Sequence, residues 1–201
     1  MITRRFAVLG VALLLSGCMT VAPHSVSVSE LQRYRLTDVT VEGIEVIRSW
    51  PSEESSYLAS APMNPDLADR LRGEPANTFP ELRSHFQRVL TERFRLELMA
   101  QAGPALTGPQ PARAVVRLKT FDIPSVGRRI FVDQHAKIQA TIDLTDARTG
   151  ATILRYEGPL GMRQLIGGIL APVAAGLESG DVAHAMVTEY VGAYRNWLLQ
   201  K

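Results

Sequence analysis

Apolar residues fall at every second position from Ala136 through Ile138, Ala140 and Ile142 to Leu144, with Lys137, Gln139, Thr141 and Asp143 between them. This alternation predicts a strand over residues 132–145 with one buried and one wet face, as in an antiparallel sheet. Ala114, Val116 and Leu118 alternate in the same way and predict a strand over 112–123. Residues 152–157 read as a further strand, reached from 132–145 through Asp146-Ala147-Arg148-Thr149-Gly150, where Gly150 suits a left-handed position. Upstream, residues 34–47 read as the first strand. Val39 and Val41 share a face, Ile44 and Val46 have the opposite parity, and Gly43 marks the switch, where a bulge is expected.

Two long stretches repeat with the helical period instead. Leu82, Phe86, Val89, Leu90, Phe94 and Leu98 form one stripe, with Thr78 and Glu81 as a capping box, Pro80 in the first turn and Gly103-Pro104 as the stop. Arg83, Arg88, Glu92, Arg93 and Arg95 make a solvated face. Val182, Met186, Tyr190, Tyr194, Trp197 and Leu198 form a second stripe and predict a closing helix over 181–200. Residues 48–77, rich in Pro, Ser and Glu, read as mostly irregular, with one short helix between Asn64-Pro65 and Gly73. A connection of that length is unusual in a compact domain and is often functional. The order β-α-β-β-β-α predicts an α+β fold, a four-stranded, mainly antiparallel sheet with two helices packed on one face. Residues 34–201 are expected to be a single domain.

The chain begins differently. Arg4 and Arg5 precede an apolar run from Phe6 to Leu15, followed by Ser16, Gly17 and Cys18, the only cysteine. A basic start, a short apolar stretch and small residues describe a secretory leader, and the run is about half of the ~20 residues a span needs. An ordinary leader cut elsewhere and an uncleaved anchor are the bland alternatives. The ending Leu15-Ser16-Gly17-Cys18 resembles the lipobox of bacterial lipoprotein precursors. That resemblance implies removal of residues 1–17 and acylation of Cys18, which becomes the first mature residue and the point of attachment to membrane lipid. Two or more acyl chains suffice for stable anchoring. Residues 18–33 read as a lipidated tether that extends to about 50 Å. Met19 stands where an aspartate often causes inner-membrane retention in this family, so the resemblance implies a periplasm-facing outer-membrane location ahead of an inner-membrane one.

Without the leader, Lys+Arg falls from 22 to 20 against 20 Asp+Glu, so the precursor's excess charge belongs to the leader. Nucleic acid therefore has no electrostatic reason to bind. A hydrophobic share of 46% is ordinary for a globular chain and argues against global disorder.

The candidate chemistry is sparse. His24, His85, His135 and His184 fall in no metal-ligand spacing, and no GxSxG, Walker or GxGxxG motif occurs. Asp143 and Asp146 read as turn chemistry in preference to a catalytic pair. No cofactor and no catalytic residue are expected. Residues 165–177, LIGGILAPVAAGL, carry no charge, and Pro172 interrupts any helix. They either close the core or form an exposed flap that meets a partner or dips into lipid, with Leu165, Ile166, Ile169, Leu170 and Val173 as contacts. Arg128 and Arg129 read as a small basic loop, either solvated or touching phosphates.

The element order, with Asp146-x-x-Thr149-Gly150 between two strands, resembles small envelope lipoproteins, among them the auxiliary lipoproteins of ABC-type lipid transporters and the lipoprotein that plugs the lipopolysaccharide translocon. Arg72-Gly73-Glu74-Pro75 before the first long helix is similar to a stretch in small alphaproteobacterial lipoproteins. These resemblances imply a non-catalytic accessory that binds an envelope protein, a transporter or lipid. An envelope hydrolase with a cleft between residues 48–77 and the sheet, and a structural or signalling lipoprotein, are the other readings.

Overall fold

The computed structural model describes residues 21–60, 65–71, 74–168 and 181–200. Its strands are β1 (Tyr34–Glu42), β2 (Gln110–Asp122), β3 (His135–Asp146), β4 (Thr152–Glu157) and β5 (Gly161–Gln164). The helices are α1 (Val28–Leu31), α2 (Pro51–Ser60), α3 (Pro65–Arg70), α4 (Pro80–Gln101), α5 (Val126–Phe131) and α6 (Val182–Leu198). Together they make a mixed α+β fold around a five-stranded sheet in the order β1-β2-β3-β4, with β5 also paired to β3.

β1 and β2 run parallel, whereas β3 is antiparallel to β2, β4 and β5. The parallel pair follows from the long connection between β1 and β2, which contains α4 and gives the chain length to cross over. β4 and β5 share one edge of β3: β4 pairs residues 141–145, and β5 pairs residues 135–138. The alternation in β3 has its expected outcome, since Ala136, Ile138, Ala140, Ile142 and Leu144 are all buried. Asp143, expected to be wet, is only 1% exposed. Arg155 of β4 donates to its carboxylate at 2.7 and 2.8 Å, and Arg117 of β2 donates from the other side.

Both long helices bury the stripes that define them. Leu82, Phe86, Leu90, Phe94 and Leu98 of α4, with Met186, Tyr190, Tyr194 and Leu198 of α6, join the strands in one core cluster. α4 packs on β1 and on α6, and α6 packs on β3. Each large apolar side chain so buried contributes ~1.5–3 kcal/mol. Asp181 caps α6 by accepting from the His184 N–H at 3.1 Å. The capping box expected for α4 is absent. Phe79 is its N-cap, with no side-chain bond, and the Thr78 hydroxyl donates to the Pro75 carbonyl at 2.8 Å.

Three further expectations are corrected. β1 stops at Glu42, and Gly43 takes φ +81° to enter a 3-10 turn over Ile44–Val46, which produces the parity switch. A Cβ at Gly43 would lie 2.5 Å from the Leu118 carbonyl oxygen. Residues 48–77 hold the short helix expected after Asn64-Pro65, which is α3, but they are not mostly irregular, because α2 lies within them as well. Pro51 opens α2, Glu53 and Glu54 occupy its first turn, and the Glu54 carboxylate accepts the Trp50 N–H at 2.7 Å. These are helix-start signals that outweigh a loop-like composition. Residues 21–33 are not a free tether. Leu31 is 1% exposed within the core, and Trp197 Nε1 donates to the Ala22 carbonyl at 2.7 Å. His24 Nε2 bonds the Leu198 carbonyl at 3.0 Å.

Candidate functional site

The stripe that buries α6 has one border left uncovered. β4 ends at Glu157, and the chain turns through Gly158 and Pro159 before β5 begins at Gly161. This turn and the flank of α6 enclose an apolar recess of about 150 Å³ lined by Ile138, Pro159, Met162, Met186, Tyr190 and Ala193, among others. A second recess of about 480 Å³ continues from Tyr156, Pro159 and Ala193, which the two share, toward Trp197, Pro23 and Val21. The result is a groove along α6 whose far mouth is the N-terminal segment. Arg163 and Glu189, from opposite banks, form an ion pair. Burial pushes the Tyr156 and Tyr190 hydroxyls, which line the groove, and the Tyr194 hydroxyl in the core behind them above their ordinary pKa.

Tyr190 also closes a gap in the sheet. Ala140 lies between the stretches of β3 paired by β4 and β5. The Tyr190 hydroxyl accepts from the Ala140 N–H at 2.9 Å and donates to the Ala140 carbonyl at 2.5 Å. Gly158 N–H reaches the same carbonyl at 3.3 Å. A Cβ at position 158 would sit 2.0 Å from the Tyr190 oxygen, so the turn needs glycine there.

The second feature is an ionic cluster where α2, α4 and the start of α6 meet. Arg93 donates to Glu53 at 2.7 Å and pairs with Asp181 at 2.6 Å, while its guanidinium lies 5.0 Å from the Trp50 ring. Arg88 donates to His85 Nδ1 at 3.0 Å. A guanidinium only donates, so the neutral ring carries its proton on Nε2 and donates to Glu53 at 3.0 Å. Burial raises the Asp181 carboxyl, but Arg93 and the His184 N–H outweigh it and hold the pKa below the ordinary value. Burial holds Glu54 above the ordinary value, against the pull of the Trp50 N–H. An adjoining cleft of about 340 Å³ is lined by Ser52, Glu53, Ile123, Arg129, Leu165 and Asp181, among others. Both carboxylates are committed to Arg93, so the geometry is that of an ion-pair network holding three helices together. Among the described residues, no group of three or more His, Cys, Asp or Glu is placed to hold a metal.

The residues singled out in the sequence scatter. Cys18, Ile169, Leu170 and Val173 lie outside the described residues. Leu165 is 6% exposed and belongs to the core, while Ile166 is 52% exposed. Arg128 and Arg129 sit on α5, a short helix capped by Ser125, and not on a loop. Arg128 makes two 2.7 Å bonds to Asp122, and Arg129 is 7% exposed. Phe131 at 82% and Val132 at 78% are exposed as well, and the Leu165 N–H bonds the Gln134 carbonyl at 2.8 Å. The groove escaped the sequence reading. Met186, Tyr190 and Trp197 were visible as a core stripe, but the opposite bank is a four-residue strand without periodicity.

No protein-family model and no curated protein matches the chain. Solved structures similar to it include two of low identity. One is a protein of Caulobacter crescentus described as a candidate lipoprotein, at 15% identity, covering 55% of this chain and 84% of that one, with a TM-score of 0.33. The other is a DUF330 protein of Xanthomonas campestris, at 12% identity, covering 83% and 86%, with a TM-score of 0.37. Among the described residues no helix is long and apolar enough to cross a membrane.

Proposed function

We propose that the chain is the precursor of a lipoprotein held at the outer membrane, facing the periplasm, through acylated Cys18. Its folded body serves as a non-catalytic accessory that binds protein or lipid in envelope assembly or transport. The carrying observation is the N-terminal pattern: two arginines, an apolar run too short to span, and Leu15-Ser16-Gly17 before the single cysteine. Two structural features support the accessory role. An apolar groove follows α6, and Phe131, Val132 and Ile166 are large apolar side chains exposed to solvent. The envelope-hydrolase alternative draws no support from the cleft beside α2, whose carboxylates are paired with Arg93.

The test is Cys18→Ser in the native host, with membrane fractionation and mass spectrometry of the N-terminus. The expected result is a wild-type protein in the outer-membrane fraction whose first residue is a diacylglyceryl-modified cysteine, and a variant lost from that fraction. An unmodified thiol at position 18, or unchanged fractionation of the variant, overturns the anchor.

A further inference from the structure

The docked N-terminus changes what the lipid can reach. A free tether of sixteen residues would let the body drift tens of ångströms from its anchor. Instead, Ala22 and His24 are bonded to Trp197 and Leu198, and Val21 lines the mouth of the α6 groove. Only three Cα–Cα steps, at most about 11 Å, separate Val21 from Cys18. The acyl chains of the mature protein therefore start within one short span of an apolar channel. From Trp197 back to Met186, eleven helical residues run about 16 Å at 1.5 Å each. An acyl chain reaching the middle of a ~30 Å hydrocarbon core is about 15 Å long. The dimensions agree, and the two recesses along that path share Tyr156, Pro159 and Ala193 in their linings.

The geometry points to an acyl chain on Cys18 as the occupant of this groove: one chain folds back along α6 while the others remain in the bilayer. The inference rests on the lipoprotein reading above and adds to it a binding site for the protein's own lipid. Withdrawing one chain lowers the apolar area committed to the membrane and weakens anchoring by the methylene groups it removes. Binding through Met162 and Met186 suits a flexible, unbranched ligand, because thioether side chains adapt to irregular apolar contacts. The Arg163–Glu189 pair lies along the smaller recess, between Ala193 and Met186 on α6, with one charge from each bank.

The experiment uses the full lipidated protein, purified in detergent. Acylation consumes the native thiol, so Ala193→Cys places a single reactive sulfur on the exposed Ala193, at the middle of the groove. Ser29→Cys places one near the anchor but outside the groove, as a control for shielding by the micelle. Reaction rates with a maleimide are measured for both, and again in Cys18→Ser backgrounds that carry no lipid. Groove occupancy slows Ala193→Cys relative to Ser29→Cys by at least about tenfold in the lipidated protein, corresponding to a ~1.4 kcal/mol preference for the filled state. The ratio returns to its reference value in the Cys18→Ser background. Equal ratios in the two backgrounds, with mass spectrometry confirming lipid on Cys18, overturn groove occupancy and leave the anchor standing. An absence of lipid on Cys18 overturns both.

Discussion

Replacing Tyr190 with phenylalanine removes a single oxygen from a buried ring, yet that oxygen serves two backbone groups. On β3, the partner strand changes from β4 to β5 across Gln139 and Ala140, which leaves the Ala140 N–H and carbonyl facing α6. In Tyr190→Phe the carbonyl retains the 3.3 Å bond from Gly158, while the N–H keeps no protein partner. A buried donor left unsatisfied costs about 1–3 kcal/mol, and the ring's own apolar burial is unchanged. We expect a loss of about 2 kcal/mol, which lowers Tm by about 4–8 °C in a domain of this size. Urea unfolding followed by circular dichroism reads the stability, and amide hydrogen exchange reads the site. The Ala140 amide should lose protection ahead of its neighbours in β2. A loss below about 0.5 kcal/mol, with the Ala140 amide as protected as in the wild type, would refute the idea that the Tyr190 hydroxyl bridges the gap.

Two other perturbations address the N-terminal segment and the buried carboxylate of β3. Leu31→Ala should cost about 2–5 kcal/mol, because Leu31 is buried in the core; limited proteolysis should then cut within 21–33, and cleavage there in the wild type at an equal rate would contradict docking. Asp143 is held below its ordinary pKa by hydrogen bonds from Arg155 and then Arg117, in spite of burial. A depressed folded-state pKa contributes stability above the unfolded value of ~3.9, and that stability is lost as pH falls through the folded value. The urea midpoint of the wild type should therefore drop on acidification below about pH 4, and Asp143→Asn should flatten that drop; an unaltered acid limb in the variant would count against the assignment.

The parts of this fold that were legible are those in which neighbouring residues repeat a period. α4 and α6 show their stripes over more than four turns, and β3 alternates without a break, so burial could be assigned before any partner was known. Gly150 was equally readable, since φ +75° is demanded by the short hairpin, and Asp146 accepts there from the Arg148 and Thr149 N–H groups. Composition misled over 48–77, where Pro, Ser and Glu suggested a loop although Pro51, Glu53 and Glu54 make a good helix start. The Thr78 and Glu81 spacing misled in the opposite sense, because Thr78 turned back to Pro75 instead of capping α4.

By itself the sequence determined the long helices and the central hairpin, because each is written in contiguous residues whose spacing matches one backbone period. Tertiary structure alone decided the parallel pairing of β1 with β2, the burial of Asp143 between two arginines, the docking of residues 21–33 and the existence of β5. In each case the stabilising partner lies far along the chain: Arg117 and Arg155 for Asp143, Trp197 and Leu198 for the N-terminal segment, and Ile138 for Gly161. A local window contains one side of such a contact, and the free energy that selects it belongs to both.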